Sequence, residues 1–321
     1  MKAKEARVVF MRKVIVILLW VVLVDLANPQ PPTYTPAQQV LIDEHVYGGV
    51  PSTTQLLVRN GYVCEYDESA KVPMWVAYHV IPDYRDTPRR RGEFSSYRQD
   101  PDVANEAANS DYNGLLRNRG FARGHLAPYA VMGGDRDGDN RNAAAGDQDD
   151  KETIFQANYM TNIAPQHHYA FNGSGGLWSN LERWIQDELV SIRGLEVWVF
   201  AGCIFGPGEH EVVGPNEDIW VPAMFFKIVI QEPLPSEEAP RVLAFLFPHQ
   251  RSAHGEIQEF LVSVDVVEAM TGLDFFSDLN DDTEECLKIL TPGNSGMSSN
   301  VKTEIDCTLL YSKNALKPLN L

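Results

Sequence analysis

An α+β fold, with a mixed or antiparallel β-sheet core flanked by helices, is what the sequence predicts, on three observations. Strand-like runs rich in β-branched and aromatic residues recur at TQLLVRNGYVCEY, VPMWVAYHVI, LEVWVFAGCIF, IWVPAMFFKIVI and RVLAFLFPH, with turn residues between them. The segment SGGLWSNLERWIQDELVSI instead repeats its apolar residues at helical spacing, through Leu177, Trp178, Leu181, Trp184, Ile185 and Leu189. Finally, 44% of the 321 residues are hydrophobic, enough for the core of one large domain.

The elements follow in order. Residues 1–27 have a basic start and an apolar run from Val14 to Val24, too short for a comfortable membrane span, and predict an export signal or an uncleaved N-terminal membrane anchor. Export implies a periplasmic or extracellular location, with membrane attachment if the segment stays on. Residues 28–46 begin with NPQPPTYTP, a proline-rich linker that cannot hold helix, and continue into a short helix over AQQVLIDEHVY, ended by Gly48 and Gly49. The main domain runs from 47 to 279. Within it, residues 133–152 (GGDRDGDNRNAAAGDQDDKE) are dense in Asp, Gly and Ala with no hydrophobic period, and predict a mobile surface insertion. LVSVDVVEAMTG predicts a last helix ending at Gly272, and residues 280–321 form a C-terminal extension of unassigned structure.

Four cysteines allow three pairings. Cys286 and Cys307 bracket a polar stretch and are the preferred pair, while Cys203, inside an apolar run, reads as a buried thiol. The formal net charge of -17 excludes a protein that coats nucleic acid through a broad basic surface. An enzyme needs only a local positive groove. Arg85, Arg89, Arg90, Arg91 and Arg98 lie close together, with Arg117, Arg119 and Arg123 soon after, although the Arg89–Arg91 run also suits a solvated loop.

Chemistry concentrates at FARGHLAPYA. On an extended strand Arg123 and His125 share one face, and Gly124 leaves the backbone between them bare, an arrangement that suits a phosphate. Arg123 would clamp it with a fork of donors that stays charged at every relevant pH. About forty residues later come Asn162, Asn172, Trp178 and Glu182. Two rival metal readings exist. Asp135, Asp137 and Asp139 resemble the start of a calcium loop without its closing glutamate, and His167 with His168 invites zinc but lacks further ligands at the right spacing.

ARGHLAP, then TNIAPQ, then an Asn followed by W-x-x-L-E, resembles the DNA/RNA non-specific endonuclease family, and the likeness extends over roughly residues 47–279. The resemblance implies a ββα-metal finger as the active site. It implies His125 as the general base, Asn172 as the metal ligand, Glu182 as the acid that holds water on the metal, and Asn162 as an organiser through hydrogen bonds. It also implies Mg²⁺ as cofactor, with Mn²⁺ as substitute, and DNA and RNA as partners. Asn172 equally suits a helix cap and Glu182 a solvated helix position. The sequence departs from the family pattern at three places. Ala122 stands where Asp is common, and two extra residues separate Asn172 from Trp178. Gln186 and Ser95 stand where arginines are expected, with Arg183 and Arg98 nearest. The function implied is Mg²⁺-dependent hydrolysis of DNA and RNA phosphodiesters with little sequence preference. The alternatives are a weakened member that binds nucleic acid without cutting it, or an exported phosphodiesterase acting on small nucleotides.

Overall fold

A computed structural model describes residues 31–232 and 240–289. The expected signal or anchor at 1–27 and the end of the C-terminal extension lie outside the described residues. Among the described residues no helix is long and apolar enough to cross a membrane.

Helix α1 (Pro36–His45) opens on Thr35, whose hydroxyl accepts from the Gln38 amide at 3.2 Å while the Gln38 side chain accepts from the Thr35 amide at 3.0 Å. This reciprocal cap satisfies two donors that a helix start leaves bare, and Pro36 sits where its missing N–H costs nothing. Ile42 and His45 bury the helix against the sheet. The strands β1 (Leu57–Arg59), β2 (Tyr62–Asp67) and β3 (Val72–Val80) follow as antiparallel neighbours. The next elements are α2 (Leu115–Asn118), β4 (Phe121–His125), α3 (Gln148–Ala157), β5 (Ile163–His167) and α4 (Leu177–Arg183). The chain then continues through β6 (Val197–Ile204), β7 (Val212–Val213), β8 (Ile219–Trp220), β9 (Met224–Gln231), β10 (Arg241–Pro248), β11 (Leu261–Val262), α5 (Val264–Thr271) and α6 (Asp281–Ile289).

Seven strands make one antiparallel sheet in the order β1-β2-β3-β6-β9-β10-β11. Alternation along β9 fills both sides of it: Phe225 and Val229 enter the core with Trp178 and Phe171, while Phe226, Ile228 and Ile230 pack with Trp75, Phe200 and Phe275. Lys227 occupies the row between Phe225 and Val229 and is fully buried. The α+β expectation holds, and the strand runs read from the sequence supply β1, β2, β3, β6, β9 and β10 of this sheet, while Ile219–Trp220 at the start of the fourth run pairs with β7 in a separate ribbon.

The functional strands are elsewhere. β4 and β5 form a separate antiparallel pair with Gly124 opposite Ala164 and His125 opposite Ile163. A π-helical turn, His168–Asn172, leaves β5, and α4 continues as a π-helix from Trp184 to Ile192. Two strands and the helix that follows therefore make a ββα unit.

Residues 133–152 carry local structure of their own. The Asp135 carboxylate accepts from the amides of Gly138, Asp139 and Asn140 at 2.8, 3.1 and 2.7 Å, Asn142 caps a short 3-10 turn at Ala143–Ala145, and α3 starts inside the segment at Gln148. The alternation of Asp with Gly and Asn that hides any hydrophobic period is what supplies these side-chain-to-backbone bonds. The extension after 280 also begins as helix, α6, with Cys286 and Leu287 buried in the far-side core. Cys286 is disulfide-bonded, and Cys64 and Cys203 are buried free thiols; the expected partner Cys307 lies outside the described residues.

Candidate active site

One wall of the site is β4. His125 stands half-buried at the strand's end, and its Nε2 lies 3.3 Å from Asn158 Oδ1. The Asn158 amide nitrogen already donates to the carbonyls of Phe94 and Ile154, at 3.2 and 3.4 Å, so its oxygen faces the imidazole as acceptor. Nε2 therefore carries the proton and Nδ1 keeps its lone pair. The Tyr97 ring stacks on the imidazole at 5.7 Å between centroids. Burial, and then the positive charge of Arg90, hold the His125 pKa down to about 3 against the opposing effect of the Asn158 bond, so the ring is a neutral base at ordinary pH.

The facing wall is the π-helical turn and α4. A side chain on Gly124 would collide with Gln166, which lies across the bare backbone. The space that Gly124 opens is thus filled by a glutamine rather than left for a phosphate, as the strand geometry alone had suggested. Gln166 is buried, and its Oε1 accepts from the Asn172 amide at 2.6 Å. That bond fixes which end of the Asn172 carboxamide is which, and Asn172 Oδ1 has no hydrogen-bond partner among the described residues. Glu182, on α4, accepts from Lys227 Nζ at 3.2 Å, and the same ammonium lies 3.8 Å from the centre of the Trp178 ring. Burial pushes the Glu182 carboxyl up and the Lys227 amine down, each opposed by the other's charge.

His125, Asn172, Glu182, Arg123 and Arg183 line one cleft of about 430 Å³ together with Arg90. Arg90 holds its guanidinium 4.4 Å from the Tyr97 ring centre. Arg123 is partly committed, with Nη2 donating to the Asn109 carbonyl at 2.6 Å and to Asn113 Oδ1 at 3.2 Å. Arg183 reaches back to Asn180 at 2.5 Å. Arg98 is not among the lining residues: it donates to the carbonyls of Ser96 and Glu93 and covers the Phe155 ring at 4.0 Å. Asn162 is fully buried behind the cleft. Its oxygen accepts from the Ala127 amide at 2.8 Å and its nitrogen donates to the carbonyls of Ala127 and Ala157 at 2.9 Å, tying the chain just past β4 to the end of α3. Gln186 lines the cleft and accepts from Arg85 at 2.7 Å, so an arginine from another segment docks at the position where one was expected on the helix.

Sequence reasoning missed four of these residues as site members. Arg90 was one of three adjacent arginines with nothing to single it out. Gln166 lies inside TNIAPQ, and Lys227 is a lone charge in the apolar run MFFKIVI, a signal that was available. Asn158 had no signal, because only the fold brings it to His125. Of the rival metal readings, Asp135, Asp137 and Asp139 do bring ligand atoms within 4.8 Å of one another but are not among the residues lining the cleft, whereas His167 stacks between Phe121 and His249 at 4.4 and 4.6 Å.

A family model described as DNA/RNA non-specific endonuclease matches residues 44–282. The chain belongs to that family. Among relatives of this endonuclease family, the mitochondrial nuclease EXOG of Mus musculus is 26% identical over 76% of this chain and 62% of its own length. Human mitochondrial endonuclease G is 28% identical over 71% of both chains, and the nuclease of Serratia marcescens is 26% identical over 74% of this chain and 80% of its own. The chain spans about three fifths of the mouse and zebrafish EXOG proteins. A solved complex of EndoG with EndoGI shares the fold, with a TM-score of 0.59 and 24% identity, over 78% of this chain and 96% of that one.

Proposed function

We propose that this member of the endonuclease family is a Mg²⁺-dependent hydrolase of DNA and RNA phosphodiesters with little sequence preference, leaving 5′-phosphate ends. The observation that carries the reading is the meeting of a neutral imidazole, two oxygen donors and three arginines in one cleft. His125 Nδ1 takes a proton from the water that attacks phosphorus, while Asn158 holds the ring in the required tautomer. Burial keeps the ring neutral at ordinary pH, so its lone pair is free to accept the proton, at some loss of basicity. Arg90, Arg123 and Arg183 face the charge that builds on the phosphate oxygens, and contacts of this kind carry no base information.

The donor set suits a hard cation. The Asn172 carboxamide oxygen is unpartnered, and the Glu182 carboxylate lies in the same cleft. Asn172 would hold Mg²⁺, or Mn²⁺ in its place, with Glu182 acting through water, and the ion would supply Lewis-acid stabilisation of the phosphorus and the departing 3′ oxygen. Lys227 keeps the Glu182 carboxylate in position, and Gln166 keeps the Asn172 oxygen turned outward.

Nicking of supercoiled plasmid and degradation of RNA by the purified chain, with Mg²⁺ and with EDTA, tests the reading. Wild type should cut both polymers only with metal. His125→Ala should lose about 10²–10⁴-fold in rate, the usual worth of a general base. Asn172→Ala should shift the Mg²⁺ concentration needed for half-maximal rate. A folded wild type that cuts neither polymer with Mg²⁺ sinks the proposal, and polymer binding without cleavage would replace it with a binding role. Export through residues 1–27 rests on their basic-then-apolar pattern, and is checked by N-terminal sequencing of the protein recovered outside the cytoplasm.

A further inference from the structure

Beyond the cleft, at the other end of the turn that carries Asn172, is a second concave surface of about 800 Å³. Leu116, Arg117, His167, His168, Tyr169 and Arg251 line it, and none of its lining residues is acidic. Tyr169 is 81% exposed, a large aromatic ring offered to solvent. Its neighbour His168 makes a T-shaped ring contact with it at 4.9 Å between centroids, and most of the tyrosine remains open to solvent. Arg117 and Arg251 are exposed and pair with no carboxylate among the described residues; Arg251 donates to the Arg119 carbonyl at 2.8 Å, and the Glu211 carboxylate is taken by Arg119 at 2.7 Å. A net charge of -17 makes an acid-free patch with two unpaired guanidiniums a feature to account for.

We propose that this surface binds an unpaired stretch of the nucleic acid whose backbone lies in the cleft, with a base stacked on Tyr169 and neighbouring phosphates on Arg117 and Arg251. The occupant is single-stranded because stacking needs an open base face, which a duplex hides and a single strand shows. Its charge complements the patch, and the His168–Asn172 turn joins the two sites within five residues, so one strand can run from one to the other. The proposal rests on the cleft being the phosphodiester site, and gives that site a preference for unpaired substrate over duplex.

The test measures binding of fluorescein-labelled oligo(dT) to the full chain in EDTA, together with cleavage of single-stranded DNA and of bis(p-nitrophenyl) phosphate in Mg²⁺. Tyr169→Ala should weaken oligo(dT) binding about five-fold or more, since one base–aromatic stack is worth at least that factor, and Tyr169→Phe should restore it. Arg117→Ser with Arg251→Ser should weaken it further and flatten its salt dependence. An abasic oligomer should bind wild type and Tyr169→Ala equally, and the small diester should be cut at the wild-type rate by all the variants. Unchanged oligo(dT) affinity in Tyr169→Ala, equal loss with the abasic oligomer, or no binding by wild type overturns the proposal. Wild type that binds oligo(dT) yet cuts neither DNA nor the small diester overturns the reading of the cleft and leaves the binding surface standing.

Discussion

The two walls of the cleft are built on different physics. The strand wall holds His125 through neutral hydrogen bonds and ring stacking, with Asn158 and Tyr97 as its supports and Asn162 tying the chain behind it. The helix wall holds Asn172 through a glutamine draped over a glycine, and Glu182 through a lysine buried in the sheet. Neutral supports fix a tautomer and cost little if solvent changes. A buried charge pair fixes a position but makes each partner depend on the other, since losing one leaves an uncompensated ion out of water.

That contrast gives an order of vulnerability. Lys227→Met should be the most damaging of the supporting changes, costing about 3–5 kcal/mol in urea unfolding because it takes the charged partner from Glu182, whose side chain is only 19% exposed. Adding Glu182→Gln should recover part of that loss; no recovery would mean that the pair is not what couples helix to sheet. Gly124→Ala comes next. Its new methyl displaces Gln166 and with it Asn172, and a misplacement of about 1 Å can cost roughly 10²-fold in rate. The signature is a raised Mg²⁺ requirement with an unchanged circular dichroism spectrum. Asn158→Ala, on the neutral wall, should cost only about 10-fold in kcat, the worth of one hydrogen bond of about 1–1.5 kcal/mol, with the Mg²⁺ requirement unmoved.

The smallest effect is that of acid on the rate. With His125 held down to about 3, it stays unprotonated from pH 8 to pH 5, and initial rates should lack the inflection near ~6.5 that an ordinary histidine base shows. Stability should behave differently. His125, His45 and His249 have folded pKa values of about 3, 4 and 3, below that of an unfolded histidine, so the unfolded chain binds more protons as pH falls below ~6.5. Their contribution to stability is therefore intact above that pH and is lost progressively toward pH 4, and the urea midpoint should fall over that window while initial rates hold. A rate that drops between pH 7 and 6 would break the account of the strand wall.

Much of the fold was legible because the sheet strands are dense in β-branched and aromatic residues, and β6, β9 and β10 lie inside apolar runs. The ββα unit was implied by the motifs and not by periodicity, since β4 is only five residues long and contains Arg123, Gly124 and His125. The residues named by the motifs, His125, Asn172 and Glu182, do converge on one cleft. Their supports were not legible. Asn158 reaches His125 across 33 positions and Lys227 reaches Glu182 across 45, and no local pattern encodes such partners. Arg98 is near Ser95 in sequence, yet it is Arg90 that lines the cleft, while Arg98 covers Phe155. The local structure within 133–152 leaves no trace in the hydrophobic pattern because side-chain caps, unlike a packed face, set no hydrophobic rhythm.

The two free thiols have a use of their own. Cys64 on β2 and Cys203 on β6 are sealed in the core, and burial pushes both further from the reactive thiolate. A thiol-specific reagent therefore meets them only when the central strands part, which makes the rate of their labelling a built-in stopwatch for the opening of the whole sheet.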